Sequence, residues 1–144
     1  VAIIHDRKIS RLQLLEILKR TVCEIFFIRR HPEKFRPSDR NMLCSNCYEL
    51  LNSPNGRRAL GYRPPKGLPN FNPDAVNLII TWDILQMDFR CVNMTYSFLI
   101  KEYETHDEFW QTFNDTYHKM TPLDKLAWMD GGFPAQYTRS KTRK

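Results

Sequence analysis

Hydrophobic and polar positions along this chain repeat with two different periods. In RLQLLEILKRTVCEIFFIRR, Leu15, Leu18, Val22, Ile25 and Phe26 share a face at helical spacing, while Gln13, Glu16, Arg20 and Glu24 lie opposite. Ser10 and Gln13 have the spacing of a capping box, so the stretch predicts an amphipathic helix running to about residue 30. HPEKFRPSDR reads as a loop, because each of its prolines steers the preceding residue away from helix. Residues 45–51 predict a short helix ended by the turn cluster NSPNG. YRPPKGLPNFNP, with four prolines, is extended, either as a hinge or as an arm over the surface.

Period two takes over further on. Val76, Leu78, Ile80, Trp82 and Ile84 alternate, and after one slip so do Leu85, Met87, Phe89 and Cys91. The pattern predicts a strand with a bulge near Ile84–Leu85, although Asn72-Pro73-Asp74 would also start a helix. Met94, Tyr96, Phe98 and Ile100 predict a second strand over 94–103, paired antiparallel with the one before it. Thr105-x-x-Glu108 is a second capping box, followed by Phe109, Phe113, Tyr117 and Met120 on one helical face. Thr121-Pro122 with Asp124 opens a last helix that stops at Gly131-Gly132. The fold class expected is α+β: a helical N-terminal part, then a small antiparallel sheet covered by two C-terminal helices.

Composition adds a core and a charge pattern. At 144 residues with 42% apolar content, one domain can bury a core. The longest apolar run, VNLIITWDIL, is too short to span a bilayer, so no membrane partner is expected. Residues 1–66 carry 14 Lys/Arg against 6 Asp/Glu, net +8. Residues 67–138 carry 4 against 10, net −6, and the tail RSKTRK at 139–144 adds +4. A basic head, an acidic body and a basic tail are thus expected, within one compact domain. Either the head meets a polyanion, or head and body neutralise each other.

The candidate chemistry starts with the basic head. Arg29, Arg30, Lys34, Arg36 and Arg40, then Arg57, Arg58, Arg63 and Lys66, are interspersed with Phe35, Tyr48 and Tyr62. Guanidinium groups suit phosphates and exposed aromatic rings suit unpaired bases, so nucleic acid is the first partner to consider; the plain alternative is a solvated surface.

Cys44-x-x-Cys47 can grip Zn²⁺, with Cys23 and His31 as the best-placed further ligands and Cys91, His106 and His118 in reserve. Free cysteines are more commonly small buried hydrophobes. Four unevenly placed cysteines suit a reducing, intracellular compartment better than a secreted one. Asp83, Asp88, Glu102 and Glu104, with Lys101, would make a Mg²⁺-dependent nuclease site if the strands gathered them. Trp110 lies off the apolar helix line, as a partner contact would, and the basic tail resembles a nuclear-import or nucleic-acid arm.

These features point first to a non-enzymatic binding domain for nucleic acid or another polyanion. A structural subunit of a larger assembly, its head docked on the acidic body of a neighbour, comes second. A nuclease comes third.

Overall fold

The computed structural model describes residues 2–28, 39–70, 72–94 and 97–129. The fold is α+β. Its strands are β1 (Ile3–Lys8), β2 (Val22–Ile28), β3 (Asp39–Ser45), β4 (Leu78–Asp83), β5 (Asp88–Asn93) and β6 (Ser97–Glu102). Its helices are α1 (Arg11–Arg20), α2 (Tyr48–Leu51), α3 (Pro54–Ala59), α4 (His106–Asp115) and α5 (Pro122–Met129). Among the described residues the strands form one antiparallel sheet in the order β1-β6-β2-β3-β4-β5. Strands from the basic and acidic halves therefore share a sheet. No helix among these residues is long and apolar enough to cross a membrane.

The N-terminal part is not the helical head that its periodicity predicts. The capping box forms as expected: Ser10 Oγ accepts from the Gln13 backbone N–H, and Gln13 Oε1 accepts from that of Ser10. The helix stops at Arg20, and the chain continues as β2. Val22, Ile25 and Phe26 are β-branched or aromatic and pack well on a pleated surface. The helix end is tied into the sheet, the Leu18 carbonyl accepting from Asn46 N at 2.9 Å and the Thr21 carbonyl from Ser45 Oγ at 2.9 Å. Strand alternation turns Glu24 inward, where it is fully buried and its Oε2 lies 3.8 Å from Lys101 Nζ.

Two further expectations are corrected. The slip at Ile84–Leu85 is a hairpin turn, not a bulge: β4 pairs antiparallel with β5, from Leu78↔Asn93 to Asp83↔Asp88. Asp83 Oδ1 accepts from Gln86 N at 3.1 Å, and Met87 adopts φ +54° to close the turn. The strand expected to pair with its predecessor pairs elsewhere, β6 lying between β1 and β2. The helix start at Asn72-Pro73 survives only as a 3-10 turn, Pro73–Val76, capped by the Asn72 side chain.

The sheet separates two apolar clusters. On one face α1 places Leu14, Ile17 and Leu18 over Cys23, Ile25, Met42, Cys44, Ile79, Val92 and Leu99. The other face holds Val22, Leu43 and Trp82 against Leu50 and Leu51 of α2, Phe109 and Phe113 of α4, and Trp128 of α5. The two C-terminal helices thus lie on the sheet as expected. Thr105 caps α4 by accepting from Glu108 N, and Thr121 with Asp124 exchange hydrogen bonds at the start of α5. The stop expected at Gly131-Gly132 lies outside the described residues.

Candidate nucleic-acid interface

Three arginines of the basic half pair with carboxylates; Arg7, exposed on β1, pairs with none among the described residues, its NH1 donating to the Lys8 carbonyl at 3.5 Å. Arg11 pairs with Asp74, Arg20 NH1 with Glu102 Oε2 at 3.0 Å, and Arg63 NH2 with Asp88 Oδ1 at 3.3 Å. In these three, basic head neutralises acidic body. Arg63 also stacks its guanidinium 5.4 Å from the Trp82 ring centroid, next to Tyr62, whose ring meets Trp82 edge-on at 5.1 Å. Gly61 leads into this contact at φ +66°, with Met87 Sδ 3.0 Å from where a Cβ would stand. The start of the Pro-rich segment is therefore an arm fixed over the β4–β5 hairpin, and Arg63 helps to fix it.

Arg57 and Arg58 differ. Both are exposed on α3, and among the described residues neither makes an ion pair. Arg57 NH1 donates to Asn52 Oδ1 at 3.3 Å, and Asn52 Nδ2 donates to Tyr48 Oη at 2.8 Å. Tyr48 is 61% exposed, an aromatic ring held in solvent by a hydrogen bond at its far end. Local sequence explains the corner. Ser53 Oγ accepts from Gly56 N at 2.9 Å, and Pro54 at the first helical position starts α3 directly after α2. Gly56 is buried where a Cβ would overlap the Leu50 and Leu51 carbonyls, so only glycine lets the two short helices come this close.

Tyr62 lies within electrostatic reach of this corner. Burial raises the Tyr62 phenol above its ordinary range, Tyr48 adds to the rise, and the Arg57 charge opposes it. Lys66 is exposed further along the arm. Arg29, Arg30, Lys34 and Arg36 lie outside the described residues. The backbone of Arg40 pairs with Phe27 in the β2–β3 ladder, and its side chain lies outside them.

The cysteines expected to share a metal are divided by the sheet. Cys44 lies in the cluster under α1, opposite Cys23, whereas Cys47 lies in the cluster on the other face. Cys47 Sγ is 3.7 Å from His106 Nε2, which also lies 2.9 Å from the Arg20 carbonyl. Cys91 is exposed on β5, and His31 lies outside the described residues. Among the described residues no three His, Cys, Asp or Glu side chains are grouped as a metal site would need.

Of the carboxylates, Asp83 and Asp88 stand opposite one another in the β4–β5 ladder, and Glu102 lies apart from them. Glu102, Cys23, Cys44 and Asp83 are successive partners across the sheet, which puts Glu102 three strand spacings, about 14 Å, from Asp83. Glu102, 5% exposed, holds His5 Nε2 at 2.7 Å as well as Arg20. Asp88 accepts from the Phe89 backbone N–H and pairs with Arg90 and Arg63, which together keep its carboxyl below the usual range. Trp110 is half-buried against Phe109 and Phe113 of its own helix. The Tyr48–Asn52–Arg57 chain escaped the sequence reading, although Tyr48-x-x-x-Asn52 has the spacing of one helical face.

Comparison of the chain with protein-family models, curated proteins and solved structures finds no match.

Proposed function

We propose that this chain is a binding module whose α2–α3 corner contacts a polyanion, and that nucleic acid is the class its chemistry fits best. One observation carries this reading. Arg11, Arg20 and Arg63 are neutralised by carboxylates, while Arg57 and Arg58 stand exposed without an ion pair among the described residues, and Asn52 links Arg57 to an exposed tyrosine ring. A guanidinium group can take a phosphate oxygen pair, and a tyrosine face can stack on a base. The Asn52 bridge supports it further, because it holds Arg57 and Tyr48 in one arrangement before any ligand arrives.

The test is fluorescence anisotropy of a labelled single-stranded oligonucleotide with the full chain and with Arg57→Glu/Arg58→Glu. Reversing both charges is expected to weaken binding by roughly tenfold or more at moderate salt. Equal affinity of the two proteins would remove this corner from the interface.

A further inference from the structure

Cys23 and Cys44 stand directly opposite one another on β2 and β3. Opposed residues of an antiparallel pair have Cα atoms about 4.5–5.5 Å apart and side chains on one face, inside the roughly 4.4–6.8 Å that a disulfide spans. The backbone needs no rearrangement to join them. Both side chains lie in one buried cluster on the same face of the sheet. A hydrogen bond to Cys44, reinforced by burial, holds the Cys23 thiol well above the ordinary thiol range. Both residues are fully buried under α1, in the cluster that contains Leu14 and Leu18. Cys47 is on the far side of the sheet and Cys91 is exposed on β5, so neither competes for this partnership.

We infer that Cys23 and Cys44 are a reversible disulfide pair across the central β2–β3 hairpin, oxidised by a small disulfide such as oxidised glutathione. One thiol gives its proton to solvent, and its thiolate attacks the oxidant's S–S bond, releasing one small thiolate and leaving a mixed disulfide. The second cysteine, deprotonated in turn, attacks the protein sulfur of that bond and expels the other small thiolate. Two S–H bonds are lost and one protein S–S bond is gained. Two electrons pass to the oxidant, which leaves as two thiols.

Burial sets the condition for the step. The first attack needs a thiolate that an external disulfide can reach, and α1 covers both sulfurs. Oxidation therefore waits on a local opening in which α1 leaves the sheet, and its rate follows the population of that opening. The bond closes residues 24–43 into a loop, and that loop carries Arg29, Arg30, Lys34 and Arg36. Once oxidised, the pair joins β2 to β3 covalently at the base of this loop.

The experiment incubates the full reduced chain with oxidised glutathione, in buffer and in urea well below the unfolding midpoint. Samples are quenched with an alkylating reagent, then read by intact mass and a non-reducing peptide map. The expected product is about 2 Da lighter, carries a Cys23–Cys44 cross-link with Cys47 and Cys91 alkylated, and reverts with reductant. It forms several-fold faster in the sub-denaturing urea. A product cross-linked through Cys47 or Cys91, a persistent glutathione adduct, or four alkylated cysteines in both conditions would overturn the pairing. A rate indifferent to urea would overturn the gating by α1.

Discussion

At the scale of single residues, burial decides which polar groups are structural. Glu102 is a carboxylate at the rim of the core, and His5 and Arg20 meet it from β1 and from the end of α1. A charge taken that far from water persists only when it is paired in this way. Tyr103, the next residue, is the opposite case. It is 1% exposed, its ring meets Phe109 edge-on at 5.6 Å, and its hydroxyl has no hydrogen-bond partner among the described residues. An unmet buried hydroxyl costs about 1–3 kcal/mol, while the ring contributes its full apolar burial. Tyr103→Phe keeps the ring and removes the cost. We expect it to raise the free energy of urea unfolding by about 1 kcal/mol, and a loss of that size would mean that the hydroxyl is satisfied.

At the scale of elements, local signals were legible and long-range ones were not. Ser10–Gln13 and Thr105–Glu108 mark helix starts because a cap is satisfied within four residues, and both caps form. The end of α1 at Arg20 was hidden, since Leu18, Val22, Ile25 and Phe26 satisfy a helical face as well as a strand can use them. What selects the strand is pairing with β3 and β6, whose partners lie from 11 positions (Ile28↔Asp39) to 79 positions (Cys23↔Glu102) away. The β4–β5 turn was hidden for a chemical reason. Its left-handed position is Met87 rather than the Gly or Asn that announces such turns, so the slip in alternation read as a bulge. Of the candidate interface, Arg57 and Arg58 were legible as charges, but their lack of ion pairs depends on where Asp74, Glu102 and Asp88 fall in the fold.

The α2–α3 corner is the element on which the proposed interface depends, and Gly56 is its tightest point. A methyl there meets two backbone carbonyls, which cannot move aside as a side chain can. Gly56→Ala is expected to destabilise the chain by about 2 kcal/mol or more in urea unfolding, and to weaken oligonucleotide binding although it removes no charge. A variant as stable as the parent would show that the two helices can separate at little cost.

At the scale of the whole molecule, the division of charge along the sequence is partly offset by folding. β1, β2 and β3 come from the basic half and β4, β5 and β6 from the acidic half, and one sheet interleaves them. Arg11, Arg20 and Arg63 each find a carboxylate of the acidic half across this arrangement. The net charge of +6 is therefore a poor guide to where a polyanion would sit. The exposed arginines without an ion pair among the described residues are a better one. Because phosphate contacts release counterions, each arginine that neutralises a phosphate contributes to the salt dependence of binding, by about −0.7 in the logarithmic slope on a single strand.

The most direct test is the affinity for a single-stranded oligonucleotide between about 50 and 200 mM salt, for the full chain and for Arg57→Ala/Arg58→Ala. The account predicts a linear fall of log K with log salt, with a slope shallower by about 1.4 in the double variant. Parallel lines, or no measurable binding by the parent chain at the lowest salt, would contradict it.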